Sequence, residues 1–168
     1  MSFVLRDAVP ADVPVLLGFA RGLAAHEGRP EAVTATEADL HAALFGTPPR
    51  GWALVAERDG AAVGFAAWSY RYVMYRAATM LYVTTVFVDE AARGGGTGRA
   101  IFGELARRAL REGCLGVDWG VREDNATALA FYASIGAERR TGSASMTLRG
   151  EALERMAAWT SQAELAHA

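Results

Sequence analysis

Val86-Phe87-Val88-Asp89-Glu90-Ala91-Ala92-Arg93-Gly94-Gly95-Gly96-Thr97-Gly98-Arg99-Ala100 is the stretch that decides the reading of this chain. An apolar, β-branched run leads into a turn with glycine at four of the five positions from 94 to 98. A helix-forming segment, Ala100 to Leu110, follows at once. Strand, glycine loop and helix in that order set main-chain N–H groups at the positive end of a helix. Such a loop suits a phosphate-bearing ligand. A side chain at these positions would hold a phosphate away from the backbone. By itself the same pattern also fits a plain flexible glycine turn.

The neighbouring elements follow from periodicity. Met80 to Val88 reads as a strand. Before it, Trp52 to Glu57 and Ala62 to Tyr72 form a hairpin about Asp59-Gly60. Phe3 to Arg6 is a short first strand. Pro10 opens a helix whose apolar face carries Val13, Leu16, Leu17, Ala20, Leu23 and Ala24. Thr36 caps a second helix that Gly46 ends. Beyond the glycine loop, a helix runs from about 97 to 112. Leu115, Val117, Trp119 and Val121 alternate as a strand does. Asp124 or Asn125 caps a helix that Gly136 closes. A last hairpin about Thr141-Gly142 and a terminal helix over 152–166 complete the chain. The order β-α-α-β-β-β-α-β-α-β-β plus a C-terminal helix predicts an α/β fold. Its central sheet is mixed and mostly antiparallel, with helices on both faces.

Composition narrows the rest. A chain of 168 residues is expected to be one domain, 1–168. It is 52% hydrophobic and 21% charged, which predicts a packed core. A net charge of −2 argues against a nucleic-acid partner. No apolar run approaches the roughly 20 residues of a membrane span. The N-terminus lacks the features of a signal peptide, so a cytoplasmic location is the default. Cys114, the only cysteine, reads as a small packing residue rather than a catalytic thiol. No metal is called for. A P-loop is excluded because no Gly-Lys-Ser/Thr follows the glycines. A dinucleotide fold is disfavoured because the loop lies late, after an antiparallel hairpin.

Arg93-x-x-Gly96-x-Gly98, together with Asn125-x-x-Ala128-x-x-Phe131-Tyr132-x-x-x-Gly136, resembles the two acetyl-CoA motifs of the GCN5-related N-acetyltransferases (GNAT). Leu23-Ala24-Ala25-His26-Glu27, Val33 to Leu40 and Leu44-Phe45-Gly46 resemble the diamine (spermidine/spermine) acetyltransferase branch. The resemblance implies acetyl-CoA as cosubstrate, without a metal. Its pyrophosphate would rest on Arg93, Gly94, Gly95, Gly96, Thr97, Gly98 and Arg99. Val86, Phe87 and Val88 would line the pantetheine arm, with Asn125, Ala128 and Tyr132 beside it. The Val86 N–H would steady the oxyanion. Tyr132 would be the general acid, since a phenol of pKa about 10 arrives at a departing thiolate already protonated. Read alone, Tyr132 is equally a core tyrosine with its hydroxyl at the surface.

For the acceptor, the resemblance points to His26 and Glu27 at the end of the first helix, and to Thr84 and Thr85. His26 and Glu27 read equally as an exposed helix end. Polyamine enzymes of the branch carry acidic residues where this chain has Thr84-Thr85. That departure puts spermidine in doubt and favours a smaller or less charged amine. Trp68, Tyr70, Tyr72, Tyr75 and Tyr82 divide between the sheet faces, some of them shaping the acceptor pocket and most of them packing. The expected activity is acetyl transfer to a primary amine of a small molecule by direct attack. The alternatives are a protein or antibiotic amine on the same fold, or a CoA-binding protein without catalysis. The resemblance also implies a homodimer, for which Met156, Trp159 and Leu165 offer an apolar stripe; the same stripe reads equally as cover for the monomer's own core.

Overall fold

The computed structural model describes residues 3–160. Two compact units are distinguished, one ending at Leu129 and one beginning at Ala130. In the first, five strands lie in the order β1 (Val4–Asp7), β2 (Trp52–Arg58), β3 (Ala61–Val73), β4 (Ala78–Val88) and β5 (Val117–Trp119). Every pairing is antiparallel except β4 with β5, which is parallel. The hairpin between β2 and β3 turns on Asp59 at φ 52° and Gly60 at φ 78°. Two positive φ angles give the turn whose twist matches that of the strands.

Helix α1 (Val13–His26) follows a 3-10 turn at Pro10–Asp12. Helix α2 (Glu37–Phe45) begins at a reciprocal cap. The Asp39 N–H donates to Thr36 Oγ1 at 3.2 Å, and the Thr36 N–H donates to Asp39 Oδ2 at 2.9 Å. Leu16, Ala53, Val55 and Phe65 form a buried cluster, with Phe19, Leu40, Leu44 and Phe87 packed against it. Burying a leucine such as Leu16 is worth about 1.5–3 kcal/mol. The alternate positions Leu54, Ala56, Ala66 and Trp68 point to the opposite face. There α3 (Thr97–Arg111) buries Ile101, Phe102, Leu105 and Ala109. Arg108 lies 5.1 Å above the Trp68 ring, and Phe102 packs 4.8 Å from Trp119.

Helix α4 (Ala126–Ser134) contains the boundary between the units, and α5 (Gly150–Thr160) belongs to the second. The mixed sheet and the helix order agree with expectation as far as α4. The last hairpin does not form: residues 137–149 carry no strand. Thr141, Gly142, Ser143, Ala144 and Ser145 are poor strand formers, and every residue from 138 to 149 is exposed, so no buried face holds a register. The expected strand over Leu115–Val121 contracts to Val117–Trp119, with Gly116 and Gly120 on either side. Residues 161–166 of the expected terminal helix, Leu165 among them, lie outside the described residues. Met156 and Trp159 are exposed on α5. No described helix is long and apolar enough to cross a membrane.

Candidate functional site

The site begins where β4 loses one neighbour. Thr85 pairs with Ala67 but Val83 pairs with Trp68, so Thr84 is the extra residue of a β-bulge. Its hydroxyl donates to the Ala67 carbonyl at 3.1 Å. β5 pairs only with Leu81, Tyr82 and Val83. From the bulge to Val88, β4 is therefore bonded to β3 on one side, and β5 has ended on the other.

The ladder fixes which main-chain groups face that open edge. The Asp89 N–H donates to the Val63 carbonyl at 2.9 Å. Bonded pairs alternate in an antiparallel ladder, so Thr85 and Phe87 also bond to β3. Val86 and Val88 then turn their N–H and C=O groups to the edge. Arg93 Nε, which donates to the Val88 carbonyl at 3.1 Å, meets it there. Val86 and Val88 thus offer two strand-spaced N–H groups to an extended ligand. Phe87 does something else. Its main chain bonds β3, and its ring packs 5.4 Å from that of Phe19.

The glycine loop continues from this edge. Asp89 and the 3-10 turn Glu90–Ala92 lead into it. Gly94 has φ 78° and Gly96 has φ 85°, a region other residues rarely enter. Gly96 is the N-cap of α3, and no side chain among the described residues caps that helix. The first amides of a helix have no acceptor within it, so this end is open to an anion. Gly94, Gly95 and Gly96 are exposed, while Thr97 is buried. The Thr97 hydroxyl donates to the Ala92 carbonyl at 3.4 Å and ties down the loop base. Arg99 lies exposed in the first turn of α3. Exposed main-chain donors, a helix N-terminus and nearby guanidinium groups make a donor set that fits a diphosphate.

Arg58, at the end of β2, was not anticipated from the sequence. Its Nη2 donates to Thr97 Oγ1 at 3.4 Å. A Cβ placed on Gly95 would lie 2.9 Å from that same nitrogen. Arg58 Nε is buried without a hydrogen-bond partner among the described residues. The arginine thus supports the loop from beneath. No motif signals it, because only the sheet order brings residue 58 to residue 97.

On the α1 and α2 side of the sheet lies a cavity of about 310 Å³. Leu16, Leu40, Leu44 and Phe65 supply apolar wall, and Thr84 and Thr85 of the bulge also line it. His26 and Glu27 do not. His26 is exposed, and Glu27 is ion-paired with Arg29 at 2.5 Å. Of the four residues assigned to the acceptor, the structure therefore brings Thr84 and Thr85 together and leaves the other two elsewhere.

Asn125 caps α4: its Oδ1 accepts from the Ala128 N–H at 3.0 Å. The Ala128 amide is committed to that cap, and the Asn125 side-chain amide keeps its NH2 donors. Gly136, at φ 84°, closes the helix. The Ala137 N–H bonds back to the Tyr132 carbonyl at 3.0 Å. Tyr132 is half-buried, and that burial raises its hydroxyl above the ordinary tyrosine value. Cys114 Sγ lies 3.5 Å from Thr79 Oγ1 in a half-buried setting, in keeping with a packing role.

Comparison with known proteins follows the same lines. Residues 19–137 match the model of the Acetyltransferase (GNAT) family. The thialysine N-epsilon-acetyltransferase of Bos taurus is 29% identical over 94% of this chain and 99% of its own length. The spermidine/spermine N(1)-acetyltransferase-like protein 1 of Homo sapiens is 30% identical over 80% of this chain and 20% of its own length. Among solved structures, an integron cassette protein from the mobile metagenome of V. cholerae superposes with a TM-score of 0.76. It is 26% identical and covers 94% of this chain and 98% of its own.

Proposed function

The chain belongs to the acetyltransferase (GNAT) family, and from that premise we propose that it moves an acetyl group from acetyl-CoA to a primary amine of a small molecule. The observation that carries this reading is the open edge of β4, which runs from the Thr84 bulge directly into an uncapped glycine loop. Main-chain N–H groups from 94 to 99, with Arg93 and Arg58, hold the diphosphate. Val88 pairs with the pantetheine arm as a strand would, and the Asn125 side-chain NH2 donates to one of its amides. Bound acetyl-CoA supplies the thioester that an amine can attack directly.

The chain's own groups then do the rest. The Val86 N–H donates to the thioester oxygen as negative charge gathers on it. Thr84 and Thr85 orient the amine at the bulge. The attacking nitrogen sheds its proton to solvent, Tyr132 gives its own to the departing thiolate, and the phenolate regains one from water. The raised pKa of the Tyr132 hydroxyl serves the protonation of the thiolate. The acid form is present below the pKa, so turnover should not fall for want of this proton until the pH passes about 10. The names of the two curated relatives support a small amine as acceptor.

The test is thiol release from acetyl-CoA across a panel of small amines, with wild type and Tyr132→Phe side by side. Wild type should release thiol with at least one amine. The variant should bind CoA as before and turn over about 100-fold more slowly or worse. Equal turnover would refute the acid role. CoA binding without thiol release from any amine would favour a non-catalytic CoA-binding protein.

A further inference from the structure

Among the described residues, the cavity beside the bulge is lined by one charged residue, Arg50, and by no carboxylate. Its polar side chains are otherwise the hydroxyls of Ser69, Thr84 and Thr85. Arg50 is exposed, and it has no carboxylate partner among the described residues. Its main-chain N–H donates to the Ala43 carbonyl at 2.8 Å, which pins it against α2. Ala53, Ala67 and Thr85 form one row across β2, β3 and β4. Arg50 precedes Ala53 by three residues, so its Cα lies within about 11 Å of that row along the chain. Arg50 and the two threonines of the bulge line the same cavity, whose volume suits one small molecule.

We propose that Arg50 selects acceptors that carry a carboxylate as well as the reacting amine, as a diamino acid does. This rests on the acetyl-transfer reading above and names its substrate class. A guanidinium binds a carboxylate through two parallel hydrogen bonds, which fixes the far end of the acceptor. The apolar walls disfavour an ammonium, and so does the nearby positive charge. Both favour the neutral amine, which is the nucleophile. A polyamine would bring two or more charges into a cavity without a counter-ion, and burial of an unpaired charge is costly.

Matched probes test this directly: lysine against cadaverine and ornithine against putrescine, each pair differing by one carboxylate. Acetyl transfer to each is measured as kcat/KM for wild type, Arg50→Gln, Arg50→Lys and Arg50→Glu. Wild type should prefer the carboxylated member of each pair by roughly 10- to 100-fold. Arg50→Gln should erase the preference, Arg50→Lys restore part of it, and Arg50→Glu reverse it. The Kd for CoA should stay unchanged in all four proteins, which separates this role from a structural one. Equal use of both members by wild type, or a preference that survives Arg50→Gln, overturns the proposal while acetyl transfer stands. Absence of transfer to every amine overturns the acetyltransferase reading and this proposal with it.

Discussion

At Gly95 one added methyl group would press on the guanidinium beneath the loop. The φ of Gly95 is not in the left-handed region, so alanine there meets crowding rather than backbone strain. The obstacle is the end of a flexible arginine, which can swing aside. Gly95→Ala should therefore fold with a loss of stability under about 1 kcal/mol. It should bind CoA several-fold more weakly, because the displaced guanidinium no longer braces the loop whose amides meet the diphosphate. Arg58→Gln should lower CoA affinity by about 10-fold and leave the melting temperature near that of wild type. Calorimetric titration with CoA, beside thermal melts, decides both; wild-type affinity in both variants would remove Arg58 and Gly95 from the site. Sequence and structure meet unevenly here. Gly94, Gly96, Asn125 and Gly136 were legible because each has a backbone task that few residue types perform. Arg58 and Arg50 were not, since neither carries a motif and both act across long sequence separations. Glu27 stays open for a different reason: a helix-end carboxylate reads the same whether it faces a substrate or Arg29.

The elements that frame the cavity are fastened by one ionic cluster. Arg6 of β1 donates to Asp12 Oδ1 and Oδ2 at 2.8 and 2.6 Å, and its Nε donates to Glu57 of β2 at 2.9 Å. The Val9 N–H also donates to Asp12 at 2.7 Å. Asp12 is thereby held below its usual carboxylate pKa, chiefly by the Arg6 hydrogen bonds. A depressed pKa contributes stability that is present above about pH 4 and is lost as the pH falls through the folded value. Arg6 is one-third exposed, so solvent screens part of the pair. Asp12→Asn should cost about 1–2 kcal/mol at pH 7 and much less near pH 2–3, read from denaturant melts at both pH values. An equal cost at both would contradict this account. At this scale helices were the more legible elements. The spacing of Leu16, Leu17 and Ala24 identifies α1, and Thr36 marks the start of α2. Strands were less so. Leu115 to Val121 alternates over seven residues, yet β5 keeps three, because pairing stops where β4 bulges at Thr84. A bulge leaves no trace in an alternation pattern.

For the molecule as a whole, the fold class was readable from element order, because an antiparallel hairpin before a glycine loop admits few sheets. The cavity was not readable, since it depends on how α1 and α2 rest on the sheet. The account turns on one arrangement: the outward N–H groups of Val86 and Val88 lead to the loop amides, and one extended, diphosphate-bearing ligand lies along both. Backbone amide chemical shifts followed during titration with CoA test this most directly. The largest changes should fall on Val86, Val88 and the amides from Gly94 to Arg99, and pantetheine alone should move the first two while sparing the loop. Saturable changes confined to other residues, with these amides unmoved, would contradict it.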